Sequence, residues 1–403
     1  VKDVPGKPKI LILPRWYPNR YDPMPGLFIR RQAQSLVKNH EVAVLYVHPV
    51  PPDQPQKAAV SMEMQQDVLE LHVYYQEPSA GIPIIGQCLK AVAFFRANNK
   101  GFKLLRRSFG KPDLIHVHVL TRLGVIALIF KFLYDLPYVV TEHWSRYFQG
   151  TGQFRGMFRK CLTKMAVRRA EALITVSAPL KEAMSAHGIV HPNTFIIPNQ
   201  VDIAEFVPSE SKEIHQVKRL IHVSCFDDRT KNISGLLRVI SRLTKQRSDF
   251  HLTLVGEGPD PDTLKSHAKE LQLSDNQVVF TGLLEGRQFI NTLANADLLI
   301  QFSHHETFGT VVVESLACGV PVLSTRVGIA PEILEKYPEM LIDAGDEDTL
   351  LQKLNLFLDE KLSCDVRSLT RSVRERFSKE TVAASLKELY QGILEKKRNR
   401  KSR

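Results

Sequence analysis

Nothing in this chain is long and apolar enough to span a membrane, which takes roughly 18–20 uninterrupted apolar residues. The nearest approach, LGVIALIFKFLYDLPYVV from Leu123, is broken by Lys131, Asp135 and Pro137. The opening VKDVPGKPKILILPRW has a short apolar run but no small-residue cleavage site, so it does not read as a signal peptide. Cysteine is scarce, and Cys88, Cys161, Cys225, Cys318 and Cys364 are never in CxxC spacing. They read as reduced core thiols, which points to a cytoplasmic setting. Also absent are a tandem repeat, a recognisable nucleic-acid module, and a GxGxxG after the first strand of the second half. Nucleic acid as a partner and a dinucleotide oxidoreductase are both disfavoured.

What is present is the composition of a soluble globular protein, 43% apolar and 24% charged. At 403 residues the chain calls for two domains rather than one core. Charge is divided unevenly. Residues 1–207 hold 26 Lys and Arg against 15 Asp and Glu, a net of +11, whereas residues 208–403 hold 28 of each. The excess thickens in KAVAFFRANNKGFKLLRRSFGK (90–111) and FRGMFRKCLTKMAVRRA (154–170), where basic residues alternate with Phe, Leu and Met. Such runs are either solvated helix faces or a surface that meets anionic lipid or an anionic acceptor.

The first half alternates short β-branched runs with helical patterns. KILILP, EVAVLYV, LIHVHV, YVVTEH, ALITVS and TFIIPN read as strands buried on both faces of a parallel sheet. LFIRRQAQSLVKN and APLKEAMSAHG read as helices between them. After the polar stretch EFVPSESKEIHQVKR (205–219) the pattern restarts with LIHVSCF, HLTLVGEGP, QVVFTGLL, ADLLIQFS, GVPVLST and EMLIDAG. The expected fold is therefore α/β, two Rossmann-like doubly wound domains at 1–207 and 208–377. Val382, Leu386, Leu389 and Ile393 share helical spacing, so a final helix at about 378–403 is expected to pack back on the first domain, with its last eight residues frayed. In such folds ligands sit beyond the carboxyl ends of the strands, here in the cleft between facing domains.

One of those loops carries the sharpest chemical pattern, SHHETFGTVVVESLACGVPVLST (303–325). Thr310–Val313 are β-branched and favour a strand locally. However, Val312, Leu316 and Ala317 share helical spacing and Gly319 fits a C-terminal stop, so a helix beginning near Thr310 is predicted. Its unpaired N–H groups would form an anion site, with Glu306 just before it and Glu314 one turn in. The two glutamates could instead be the acid and nucleophile of a glycoside hydrolase or phosphorylase. DPD (260–262) sits in a turn after GEGP. Asp227–Asp228 lacks a third ligand nearby, and IHVH is weak evidence for zinc, so no metal site is assigned.

E-x-F-G-x-x-x-x-E followed by LACGVPVLST and GIAPEIL resembles the signature of family-4 retaining glycosyltransferases with the GT-B fold. YPNRYDPMPGLFIRRQAQSL, PDLIHVHV, VVTEHWS, IIPNQVD, LVGEGP, VVFTGLL and IDAGDEDTL resemble further landmarks of that family in the same order. The resemblance implies that Glu314 holds the ribose of a nucleotide sugar. Glu306 would hold the sugar, with the Phe308–Gly309 backbone against it. The amides of Thr310 and Val311 would cradle the diphosphate, and the segment ending at Leu284 would line the base pocket. Lys231 would neutralise the leaving diphosphate. The arginine that the family places six residues earlier is Cys225 here, and Arg229 is the candidate replacement. Gly26 would let the first-domain loop approach the diphosphate, and His143 would lie beside acceptor and sugar. His143, Lys231 and Glu306 are thus the candidate catalytic residues.

The implied reaction is retaining, metal-independent sugar transfer without a cofactor, from a UDP- or GDP-linked donor ahead of an ADP-linked one. The acceptor would be a glycan or a polyprenyl-diphosphate-linked glycan in capsule, exopolysaccharide or lipopolysaccharide synthesis. The enzyme would be cytoplasmic, peripheral at the inner membrane face. An inactive nucleotide-sugar-binding partner subunit is the non-enzymatic alternative.

Overall fold

The structure is a computed structural model that describes residues 6–52, 58–79, 83–149, 151–209 and 216–401. It divides into two compact units. The first takes the chain up to Val176, then Lys181–Gln200 and Val382 onward; the second takes Ser177–Leu180 and Val201–Thr381.

Among the described residues eight strands form the first unit's sheet. They are β1 (Lys9–Pro14), β2 (Glu41–Pro49), β3 (Ala59–Gln65), β4 (Val68–Tyr75), β5 (Leu114–His118), β6 (Tyr138–Glu142), β7 (Ala172–Thr175) and β8 (Thr194–Ile196), in the order β3-β4-β2-β1-β5-β6-β7-β8. All pairs are parallel except the β3–β4 hairpin. Every residue of β5 and β6 is buried, as strands covered by helices on both faces require. The strand order turns between the parallel neighbours β1 and β5, from which the chain builds the sheet towards β4 on one side and β8 on the other.

Three expectations need correction. TFIIPN forms a strand only over Thr194–Ile196. The cysteines are free thiols, but Cys88, Cys161 and Cys225 are exposed and only Cys318 is buried, so they are not a set of core residues. The final helix, Lys379–Lys401, does not fray over its last turns: Lys397 holds the backbone carbonyl of Asp135 and lies 3.2 Å from its carboxylate. Residues 402–403 of the expected frayed tail lie outside the described residues, as does part of the polar stretch at 205–219. The apolar stripe of that helix (Val382, Ala383, Leu386, Tyr390, Ile393) packs into the core built from Ile10, Ile12, Val44 and Leu114. At roughly 1.5–3 kcal/mol for each fully buried aliphatic side chain, this stripe is reason enough for the chain to return to the first unit.

The second unit has six parallel strands among the described residues. They are β9 (Lys218–Val223), β10 (Phe250–Val255), β11 (Val278–Gly282), β12 (Leu298–Gln301), β13 (Val322–Thr325) and β14 (Leu341–Ile342), in the order β11-β10-β9-β12-β13-β14. Here the order turns between β9 and β12. Neighbouring strands at such a switch send their following loops to opposite faces and leave a crevice at their carboxyl ends. Among the described residues no helix is long and apolar enough to cross a membrane.

Candidate active site

The loops after β9 and β12 flank the switch of the second unit, and they are joined. Thr230 O accepts hydrogen bonds from the amides of His304 (2.9 Å) and His305 (3.3 Å). Lys231 ends the short helix Asp228–Lys231 that follows β9, and its Nζ donates to Oε1 of Glu306 in the loop after β12. The two side chains keep 13% and 15% of their exposure, enough to be reached by a ligand and little enough for the charges to feel each other strongly. Burial alone pulls the Lys231 ammonium down; Glu306, then the Cys225 thiol and Asp227, outweigh it and hold the pKa above the ordinary lysine value. Lys231 is therefore a fixed cation at neutral pH.

Beyond Glu306 the chain turns through buried Phe308 and Gly309 into the helix Thr310–Ala317. A helix starts at Thr310 despite the β-branched run, because one face (Val312, Val313, Leu316, Ala317) is wholly buried. Gly309 is the N-cap at φ 83°, ψ 59°, and no side chain caps the helix. A residue with a Cβ is strained in that conformation, and here it would also meet the Gln301 amide at 3.0 Å. The first helical bond is made by Val312 N–H to Gly309 O (3.0 Å), which leaves the preceding amides, those of Thr310 and Val311, without an intrahelical acceptor. Glu314 is half-buried one turn in; burial first, and the Glu314 charge after it, push the Cys318 thiol up to about 12.

Gly328, in the GIAPEIL segment after β13, was given no role from sequence, yet it closes this site from the other side. A Cβ there would lie 2.4 Å from Phe308 O and 3.0 Å from the Glu306 Cβ, and the next amide, Ile329 N–H, donates to Phe308 O at 2.8 Å. Leu284 is half-buried in the loop after β11. Arg229 is exposed two residues before Lys231, and Cys225 is exposed in the loop between β9 and that helix. Asp228 and Asp260 brace these loops: Asp260 accepts from Asp228 N–H (2.9 Å) and Asp228 from Ser234 N–H (2.7 Å).

Gly26 and His143 belong to the first unit. Gly26 precedes the helix Leu27–Leu36 at φ 71°, with a notional Cβ 2.1 Å from Trp16 O, so the loop folds back on itself there. His143 follows β6 and is 6% exposed. Its Nε2 lies 3.0 Å from His118 Nδ1, the rings stack at 15°, and Phe28 packs 4.8 Å away. Burial lowers the His143 pKa to about 3, so the ring is neutral. His116 is likewise lowered to about 3 and bonds Thr141 Oγ1 (2.6 Å) and the Tyr390 hydroxyl (2.5 Å).

Glu142 has no sequence signal of its own beyond its place in TEHW. Fully buried, it accepts from the amides of His143 (2.9 Å), Trp144 (3.0 Å) and Leu120 (3.2 Å) and from the Tyr147 hydroxyl (2.9 Å), pinning the loop that presents His143. Among the described residues one group has metal-type ligands close together, Glu63, Glu70 and His72 in the first unit. Both Glu70 oxygens are already engaged by Arg30, Tyr17 and His72.

Solved structures share this pair of units. A sucrose-phosphate synthase from Thermosynechococcus elongatus superposes with a TM-score of 0.75 at 19% identity, covering 96% of this chain and 99% of that one. Anabaena Alr3699/HepE in complex with UDP gives 0.72 at 19%, covering 95% and 100%. The fold class is GT-B, and the protein is a glycosyltransferase. The profile described as Glycosyltransferase Family 4 matches residues 26–205, and that of Glycosyl transferases group 1 matches 205–380. The two matches together run over residues 26–380, and the chain is a glycosyltransferase of the family-4, GT-B type. Similar proteins include a Bacillus subtilis protein named for teichuronic acid biosynthesis, TuaC, 25% identical over 88% of this chain and 90% of that protein. The N-acetyl-alpha-D-glucosaminyl L-malate synthase of Bacillus anthracis is 28% identical over 60% of this chain, a match that spans 64% of that protein.

Proposed function

We propose that this protein transfers a sugar from a nucleotide sugar to a glycan or lipid-linked acceptor with retention of configuration and without a metal ion. The observation that carries the reading is the Lys231–Glu306 pair beside the uncapped helix start at Gly309–Val311. A diphosphate on the amides of Thr310 and Val311 would place its developing charge beside a cation that stays protonated at neutral pH. A preorganised charge of this kind stabilises a leaving group by several kcal/mol by order of magnitude, roughly 10²–10³ in rate. Glu306, oriented by Lys231, would accept sugar hydroxyls, and Glu314 those of the ribose. The leaving phosphate would help deprotonate the incoming hydroxyl on the same face, so no protein nucleophile is needed. His143, neutral and packed, would offer a hydrogen bond beside the sugar and not a titrating base.

Arg229 is the proposed second cation for the diphosphate, since Cys225 cannot supply one. The basic balance of residues 1–207 supports an anionic, lipid-linked acceptor in polysaccharide synthesis at the inner membrane face. UDP and GDP donors come before ADP donors in this reading, and HepE, of the same fold, has UDP bound. The test is a thermal-shift screen of UDP-, GDP- and ADP-sugars with the native chain and Glu314→Ala. One donor class should stabilise the native protein and lose its effect in the variant. Stabilisation by none of them would refute the reading.

A further inference from the structure

The IHVH pattern of β5 brings two histidines to one face of the sheet, with ring centroids 4.1 Å apart. Both nitrogens of His116 are engaged, Nδ1 by the Tyr390 hydroxyl and Nε2 by Thr141 Oγ1. His118, fully buried, turns instead to the neighbouring strand: its Nδ1 lies 3.0 Å from Nε2 of His143, which follows β6. The two rings are within 15° of parallel and offset, with centroids 5.2 Å apart. The contact therefore joins nitrogens at the ring edges, where an imidazole N–H and a nitrogen lone pair point.

Burial keeps both rings uncharged, with His116 and His143 adding to the effect on His118. A neutral imidazole carries one hydrogen, on one of its two nitrogens. A hydrogen bond between the rings uses one of the pair's two hydrogens, and the other then sits on an outer nitrogen, either His118 Nε2 or His143 Nδ1. Neither outer nitrogen has a hydrogen-bond partner among the described residues. Their surroundings separate the two cases. On His118 Nε2 the hydrogen would be a donor sealed in the core at 0% exposure, the rarer and costlier kind of unsatisfied group, while a bare nitrogen there is only an unused acceptor. On His143 Nδ1 it has an outlet: the half-buried Asn199 side chain raises the His143 pKa against the larger effect of burial, as an oxygen facing a ring N–H does.

We propose that His118 is a positioning residue for His143, donating its Nδ1–H to His143 Nε2 and so fixing that ring with its own hydrogen on Nδ1. The hydrogen bond made by one ring nitrogen sets what the other can do. With Nε2 occupied and Nδ1 protonated, the His143 ring has no lone pair left. It can donate to a ligand oxygen and cannot take a proton from an incoming hydroxyl. The inference deepens the reading of His143 as a hydrogen-bonding group beside the sugar, and rests on it.

Two-bond proton–nitrogen NMR of the full chain carrying isotope-labelled histidine, at pH 7, tests this without any ligand. His118 and His143, assigned with His118→Leu and His143→Asn, should both carry their hydrogen on Nδ1. A hydrogen on Nε2 of His143 in the native chain would overturn the proposal. In His118→Leu the His143 ring should no longer be held in one tautomer, and persistence of the native form there would overturn the positioning role; if that variant does not fold, the native spectrum alone decides. Calorimetry with UDP-glucose, GDP-mannose and ADP-glucose, each beside its bare nucleoside diphosphate, supplies the functional arm. For a nucleotide sugar that binds, His118→Leu should lower affinity about tenfold, the scale of one ligand hydrogen bond, and leave that of the bare nucleotide unchanged. Equal loss for both, or loss for neither, would overturn the proposal. If no nucleotide sugar binds the native chain, the donor reading fails, whereas the tautomer is read independently of it.

Discussion

Lys231 and Glu306 are 75 positions apart in sequence and form an ion pair with 13% and 15% exposure, so a double-mutant cycle on them probes the candidate site directly. Two unit charges about 4 Å apart at an effective dielectric of about 20 attract by about 4 kcal/mol. Breaking a fully buried pair by removing one partner costs about 3–5 kcal/mol. Residual exposure lowers this, so Lys231→Met and Glu306→Gln should each destabilise the second unit by about 2 kcal/mol. That corresponds to a fall of about 4–8 °C in its melting temperature for a unit of this size. The double variant leaves no orphaned charge and should recover most of the loss, giving a coupling energy well above the roughly 0.3–0.5 kcal/mol of independent sites. Because the Lys231 pKa is raised, the pair's contribution is fully present below the ordinary lysine value of 10.5 and is lost only as pH rises beyond it. The assay is calorimetric melting at pH 7 with single and double variants, followed by transfer assays in which Lys231→Met should lower kcat by about 10²–10³. Additive stability losses, or a Lys231→Met variant with undiminished turnover, would refute the reasoning.

Other perturbations follow from the same geometry. Gly309→Ala should cost about 1–2 kcal/mol in unfolding and weaken donor-sugar stabilisation, since φ 83° disfavours a Cβ and the Gln301 amide stands 3.0 Å from it; an unchanged melt would refute this. His116 and His143, both lowered to about 3, should make the first unit lose stability as pH falls from about 6.5 towards 3, because the unfolded chain binds protons the folded one refuses. A urea titration at pH 7 and pH 5 measures that loss, and equal stability at both would contradict the buried neutral rings. Glu70 is held below the ordinary carboxyl value because hydrogen bonds from His72, Arg30 and Tyr17 outweigh its burial. Glu70→Gln should therefore cost about 3–5 kcal/mol at pH 7, with a smaller difference from the native chain as pH drops below about 4.5.

Much of the fold was legible because its signals are local. The apolar strand runs, the polar breaks and the apolar stripe of the last helix each lie within a few residues, and so does the helix at Thr310, where spacing prevailed over the β propensity of TVVV. The β3–β4 hairpin escaped for a physical reason. Its two-residue turn is Gln66–Asp67, both at positive φ (46° and 64°), where the usual sequence signal is Asn-Gly or Asp-Gly. In β4 a glutamate, Glu70, interrupts the apolar run while being wholly buried. Nothing in sequence reveals that Arg30, forty residues earlier, neutralises it.

By itself, then, the sequence determined the α/β class, the two-sheet organisation and the residue types of the E-x-F-G-x-x-x-x-E segment, all of which depend on short-range pattern. Only tertiary structure decided that Lys231 meets Glu306, that Gly328 presses on Phe308, and that Glu142 ties the His143 loop to Leu120. Each of those contacts is made by strand order in a parallel sheet, which brings loops distant in the chain to one edge. Composition and periodicity carry no record of that order.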